Sequence, residues 1–200
     1  TEKHGKVTFN DVAGIDEAGR GPWAGPVVAG AVIFNYDCVS EELLQGLDDS
    51  KKLSAKKREA FLAVLPKCAS IGIGQANVTE IDEINILQAT MLAMSRAYQD
   101  IGTPADIALV DGNRAPNLSC TVQTMVKGDA RSLSIAAASI VAKVTRDRLM
   151  ADLAQDFPGY GWERNAGYGT AEHKKALERL GVTAHHRKSF APIAALINQA

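Results

Sequence analysis

Four carboxylates sit at the ends of apolar segments, where a fold could gather them. Asp16 and Glu17 follow Val12-Ala13-Gly14-Ile15, Asp111 follows Ile107–Val110, and Asp129 follows Thr121–Val126 with two residues between. Aspartate is a poor strand former, so its place directly after Ile-Ala-Leu-Val asks for a reason. Turn formation is one reason, since Asp111-Gly112 and Gly128-Asp129 are common turn dipeptides. A shared site is the other, because sites in α/β sheets are assembled at strand ends and the loops beyond them. Clustered carboxylates repel unless they are protonated or neutralised by a cation. An all-oxygen set of this kind suits Mg²⁺ or Mn²⁺ rather than zinc. Sequential residues on a regular strand point to opposite faces. Asp16 and Glu17 therefore share a site only if the strand distorts, or if the longer Glu side chain or a backbone carbonyl reaches round. Gly19 makes a distortion cheap.

A glycine turn, Gly19-Arg20-Gly21-Pro22, follows the acidic pair. Its glycines open the backbone to close approach by a ligand, and Arg20 can bond a phosphate with two parallel donors. The spacing is not GxGxxG and the turn leads into no helix, so it is not a dinucleotide fingerprint. No GxxxxGK[ST] occurs, which excludes ordinary P-loop chemistry.

The elements that must position these groups follow from pattern. Val12–Asp16, Val27–Phe34, Ala69–Ala76, Ile107–Val110 and Thr121–Val126 read as strands. Ser54 caps a helix over Ala55–Leu65, and Thr79 with Asp82 resembles a capping box that opens helical segments to about Tyr98. Ser132 caps a long helix to about Gln155, ended by Pro158 and Gly159. Thr170 precedes a helix over Ala171–Leu180, stopped by Gly181, and a last helix follows Pro192. Adjacent early strands imply an antiparallel hairpin, and later strand–helix alternation implies parallel pairing. The expected fold class is α/β, a mixed five-stranded sheet flanked by helices with a C-terminal helical extension. Residues 1–156 make the core and 157–200 the extension packed on it.

Composition agrees with a globular domain. Of 200 residues, 46% are apolar and 22% charged, and the longest apolar runs, Val27–Phe34 and Ile135–Ala142, are too short to span a bilayer. No secretory signal is expected at the N-terminus, and no membrane partner. The net charge of −1 argues against a chain that coats nucleic acid. The distribution is uneven: residues 1–50 carry 3 basic and 9 acidic groups, whereas residues 51–58 carry five positive charges. A neutral total can thus still present a basic face to a phosphate backbone. Cys38, Cys68 and Cys120 form no CxxC pair. They read as free, buried thiols, which fit a reducing cytoplasm. His185 and His186 are not spaced like a zinc site and read as structural or surface groups, and Trp162 as structural. Nothing in the sequence demands more than a monomer.

The run Gly14-Ile15-Asp16-Glu17-Ala18-Gly19-Arg20-Gly21-Pro22 resembles the signature of type 2 ribonuclease H (ribonuclease HII). The resemblance continues, in order, through Asp49–Leu53, Val110–Asn113, Val126–Asp129, Ala137–Lys143, Gly167–Thr170 and His186–Phe190. It implies an RNase H-like fold and endonucleolytic cleavage of RNA in RNA–DNA hybrids, including at single ribonucleotides within duplex DNA. The partner would be nucleic acid and the cofactor Mg²⁺ or Mn²⁺, two ions in the active complex. Matched block by block, Asp16, Glu17, Asp111 and Asp129 become the catalytic metal ligands. Gly19, Arg20 and Gly21 would read the ribose 2′-hydroxyl through the backbone, and Tyr168 would stack on the neighbouring sugar. Lys51, Ser139 and Lys143 match polar family positions, the two lysines as phosphate contacts. Where the family often has a basic residue before Gly-Tyr, this chain has Asn165-Ala166, which removes one expected phosphate contact. Two other classes fit less well. A binding module without chemistry has no use for four electrostatically costly carboxylates. A sugar or nucleotide phosphotransferase needs a second nucleotide-binding lobe and phosphate loops that are not in the sequence.

Overall fold

The structure, a computed structural model, describes residues 11–47 and 53–198. In chain order its main elements are β1 (Val12–Ala18), β2 (Val27–Phe34), α1 (Glu41–Gly46), α2 (Ala55–Val64), β3 (Ala69–Ala76), α3 (Val78–Asp100), β4 (Ile107–Asp111), β5 (Thr121–Met125), α4 (Leu133–Asp156), α5 (Trp162–Asn165), α6 (Ala171–Leu180) and α7 (Ala191–Ile197). The five strands form one sheet in the order β3-β2-β1-β4-β5. β2 pairs antiparallel with both β1 and β3, while β1–β4 and β4–β5 are parallel. This is the expected mixed sheet, with β1 at its centre. No described helix is long and apolar enough to cross a membrane.

β2 is buried at every position, as a strand covered on both faces must be. Its alternate residues divide between two cores. Ala29, Ala31 and Ile33 cluster with Ala89, Ala93 and Ala97 of α3. Val32 and Phe34 cluster with Ala137, Ile140 and Val141 of α4. The period-2 alternation therefore sets α3 and α4 on opposite faces. Gly14 lets α4 lie directly on β1: a Cβ there would stand 2.1 Å from the main-chain carbon of Ser134. A third cluster joins Ala24, Met150 and Ala154 to Tyr160, Trp162, Ala176, Leu177 and Ile193, so the C-terminal helices pack on the end of α4 and on the loop after β1.

Ser54, Ser132 and Thr170 cap their helices as the sequence predicts, accepting from Lys57 N, Ile135 N and His173 N. The start of α3 differs. Its capping box is Asn77 with Glu80, each side chain accepting from the other's main-chain N–H at 2.9 Å. Asp82 instead reaches across the fold, accepting from Lys188 N and from the Ser189 main chain and hydroxyl. Asn85 breaks α3 with a left-handed φ of 67° and caps the second segment, accepting from Leu87 N and Gln88 N. Of the cysteines, Cys68 is buried and Cys120 half-buried, but Cys38 is exposed; all are free. The sequence-based expectation of three buried thiols fails at Cys38 because the short turn Tyr36–Cys38 buries none of its residues.

Candidate active site at the end of the central strand

β1 does not distort at the acidic pair. Its register with β2 runs unbroken from Ala13↔Ile33 to Ala18↔Val28. Alternation places Asp16 with Gly14 on the α4 face and Glu17 with Ile15 on the α3 face. Both still reach one cleft, because it wraps over the end of the strand. The cleft, about 570 Å³, is lined by Asp16, Glu17 and the Gly19-Arg20-Gly21 turn, by Ile86 from α3, Lys143 and Arg146 from α4, and by Tyr168. A smaller recess of about 270 Å³ on the α3 side is lined by Glu17, Arg20, Asp111, Asn113 and Arg114, among others.

Of the four carboxylates only Asp16 is buried, at 6% exposure. Burial pushes its carboxyl well above the usual carboxylate range, and the charges of Glu17, Asp111 and Asp129 push it further. The Glu17 main-chain N–H, donating to Asp16 Oδ1 at 2.7 Å, works against this. Glu17 is also raised, chiefly by burial and against the nearby Arg20 guanidinium, 3.4 Å away. Asp111 Oδ1 accepts from Gly128 N at 2.7 Å, tying the end of β4 to the turn Gly128–Ala130 that carries Asp129. Asp129 Oδ1 accepts from Ala130 N. The donor set is thus all oxygen, drawn from three chain segments, and loaded with mutual repulsion that a divalent cation would relieve. These residue types fit Mg²⁺ or Mn²⁺. Their donor atoms are not drawn round one point: among the described residues no three His, Cys, Asp or Glu groups are poised to hold a single ion.

The glycine turn is held from beneath by the buried Arg187, with a second buried arginine, Arg146, packed against Gly19; sequence reasoning misses both. Arg187 donates to the carbonyls of Gly19 (2.6 Å), Arg20 (2.9 Å), Gly25 (3.0 Å) and Pro26 (3.2 Å). Arg146 donates to Pro26, Ala24 and Ala166. Both are buried, at 0% and 1% exposure, and main-chain carbonyls supply these contacts where a carboxylate would be expected. Burial lowers their pKa values to about 9 for Arg187 and about 10 for Arg146. The consequence is directional. In a trans peptide N–H and C=O point opposite ways. With the Gly19 and Arg20 carbonyls turned to Arg187, the N–H groups of Arg20 and Gly21 turn away from it. Gly19 has φ +96°, and a Cβ there would lie 1.9 Å from Arg146 Nε, so only glycine fits the turn. One signal was available: Arg146 stands four residues from Ala142 and from Met150, both on the buried stripe of α4.

Tyr168 is 46% exposed and stands over the turn; a Cβ at Gly21 would be 3.4 Å from its ring. Asn165, which precedes it in place of a basic residue, is a buried clip whose side chain donates to Tyr160 O and accepts from Gly167 N. Lys143 faces the cleft paired with Asp147 at 2.6 Å. Ser139 does not line the cleft: it is buried, and its hydroxyl donates to Ala136 O one turn back. Lys51 lies outside the described residues. His186 is buried, the structural one of its two readings, and Trp162 is buried as expected, in an aromatic cluster with Tyr160 and His173.

A family profile described as Ribonuclease HII matches residues 13–193. The chain is 62% identical over 183 residues to ribonuclease HII of Paramagnetospirillum magneticum, covering 92% of this chain and 91% of that one. It is likewise 62% identical over 184 residues to ribonuclease HII of Rhodospirillum rubrum, covering 91% and 84%. Among solved structures, ribonuclease H2 from Pyrococcus horikoshii superposes with a TM-score of 0.78 at 27% identity, over 94% of this chain and 98% of that one. Bst-RNase HIII, solved in complex with Mn²⁺, superposes with a TM-score of 0.77 at 16% identity, over 95% and 70%, a likeness of fold.

Proposed function

The chain belongs to the ribonuclease HII family of nucleases, which cleave RNA in RNA–DNA hybrids, and we propose that it also nicks duplex DNA on the 5′ side of single embedded ribonucleotides. The observation that carries the proposal is the shared cleft, lined by two of the carboxylates, Asp16 and Glu17, by the glycine turn and by the exposed Tyr168. Asp16, Glu17, Asp111 and Asp129 would hold the two divalent ions, Mg²⁺ or Mn²⁺, of the active complex. Ions bound there would supply activation of water and stabilisation of the leaving 3′-oxygen in an in-line displacement.

The chain's own groups do the selecting. Arg187 fixes the carbonyl side of the turn, so the Arg20 and Gly21 amides face substrate and read the 2′-hydroxyl. The Tyr168 ring stacks on the neighbouring sugar from above Gly21. Arg20 and Lys143 contact phosphates, Lys143 by exchanging its Asp147 partner. Lys51, in the basic stretch of residues 51–58, is a further phosphate contact. Ser139, bonded within its own helix, gains no support as a direct contact. Residues 157–200 form the substrate-binding extension that carries Tyr168.

End-group analysis tests the chemistry. Cleavage should leave 3′-hydroxyl and 5′-phosphate ends, because water attacks phosphorus and the 3′-oxygen leaves. A 2′,3′-cyclic phosphate would make the 2′-hydroxyl the nucleophile and refute the reading.

A further inference from the structure

Beneath Tyr168 lies a hydrogen-bonded chain whose proton positions the geometry fixes. The main-chain N–H of Thr183 can only donate, and it lies 2.9 Å from His186 Nδ1. His186 Nδ1 therefore carries no proton, and the neutral ring bears its proton on Nε2. That nitrogen is 3.0 Å from His173 Nε2. His173 Nε2 must accept, as it also must from the indole N–H of Trp162 at 3.2 Å. His173 then bears its proton on Nδ1, 3.0 Å from the Tyr168 carbonyl oxygen, which accepts it. The order is Thr183 N–H, His186, His173, Tyr168 C=O, each donating to the next.

Both rings are fully buried, so charging either one is costly. Burial lowers both pKa values, His186 to about 4. The titratable and charged groups around the pair are His185 beside His186, Glu172 in the first turn of α6, Tyr160 edge-on to both rings, Lys174 over Trp23, and Arg187 next in the chain. Tyr168 itself lies in no helix or strand and is flanked by Gly167 and Gly169. Its carbonyl also accepts from Thr170 N at 2.8 Å.

We propose that His173 and His186 are positioning residues for Tyr168, their one-way hydrogen-bond chain fixing the Tyr168 peptide and hence the ring that overhangs the glycine turn. The inference rests on Tyr168 being the substrate-reading side chain. It also makes the positioning conditional on both rings being neutral, since a proton on His186 Nδ1 or His173 Nε2 would set two donors against each other.

The test has two readouts. Imidazole ¹⁵N NMR of the full chain at pH 7.5 should find His186 protonated on Nε2 and His173 on Nδ1. A His173 proton on Nε2 would overturn the proposal whether or not any variant folds. The second readout is kinetic, on a duplex with one ribonucleotide and saturating Mn²⁺. His173→Leu should lower kcat/KM about tenfold, which is about 1.4 kcal/mol. His173→Asn, whose amide can still donate to the Tyr168 carbonyl, should recover most of the loss. In a Tyr168→Ala background His173→Leu should cost nothing further. Equal losses in both backgrounds would overturn the proposal. If Tyr168→Ala alone leaves kcat/KM unchanged, the substrate-reading role fails on its own. The positioning claim is then decided by the Tyr168 and Thr170 amide resonances, which should move in His173→Leu and return in His173→Asn. Resonances unmoved in His173→Leu would reject it.

Discussion

The two halves of the cleft are built on opposite electrostatic plans. On the acidic side, Asp16 is buried among like charges, and its proton affinity is raised by the burial and by its neighbours. On the glycine-turn side, two buried guanidiniums are matched by seven main-chain contacts at 2.6–3.2 Å. Among the described residues, no buried side-chain nitrogen or oxygen lacks a partner. One half keeps an electrostatic cost that a cation removes, and the other removes its costs internally and becomes rigid. In the proposed function, the half that would bind ions keeps uncompensated charge, whereas the half that would read a 2′-hydroxyl needs backbone amides held in place.

The comparison breaks first at Asp16. Asp16→Asn should lower cleavage by about 10³-fold, roughly 4 kcal/mol of barrier. Because it also removes a buried charge repelled by its neighbours, the metal-free variant should melt above the parent by calorimetry. A lower melting temperature would mean that Asp16 stabilises the fold and stores no repulsion. On the other side the sign reverses. Arg187→Leu leaves buried carbonyls without donors at about 1–3 kcal/mol each. Urea unfolding should therefore show a loss of about 3 kcal/mol or more, with no gain in any metal condition.

Acid separates the halves again. The unfolded chain takes up protons near pH 6.5 that folded His173 refuses until lower pH and folded His186 until about 4. The two histidines should thus lower stability as pH drops from 6.5 towards 4, by up to about 1.4 kcal/mol per pH unit for each proton, while the raised carboxyls of Asp16 and Glu17 act in the opposite sense. Replacing His186 by Gln should flatten that limb of the profile; an unchanged slope would move its cause elsewhere. The smallest effect belongs to Lys143, already paired with Asp147. Lys143→Ala should reduce the salt slope of duplex binding by roughly one unit, and an unchanged slope would reject a phosphate contact there.

The four acidic residues stand out in the sequence by residue type, since aspartate is a poor strand former, although turn formation is a competing reason for Asp111 and Asp129. The caps at Ser54, Ser132 and Thr170 are legible for the same reason. The start of α3 is less so, because Asn77-x-x-Glu80 and Thr79-x-x-Asp82 overlap. Glu80 is one methylene longer than Asp82 and reaches back to the cap N–H, which leaves Asp82 to bind the Lys188–Ser189 backbone. The resemblance supplies Tyr168 and the turn, but not what holds them. Arg187 meets Gly19 across 168 residues, and its partners are carbonyls, which every residue has. The two-faced approach of Asp16 and Glu17 depends on how far the cleft wraps round β1, a tertiary property that no local spacing encodes.

In the proposed function one cleft joins metal-dependent hydrolysis to recognition of a single 2′-hydroxyl. An end-labelled DNA duplex containing one ribonucleotide, beside an all-DNA duplex, incubated with Mg²⁺, Mn²⁺ or EDTA, tests it in one gel. The account predicts a nick immediately 5′ of the ribonucleotide with either metal, none with EDTA, and an intact all-DNA control. A folded protein that nicks neither duplex with either metal, or that nicks both alike, would contradict it.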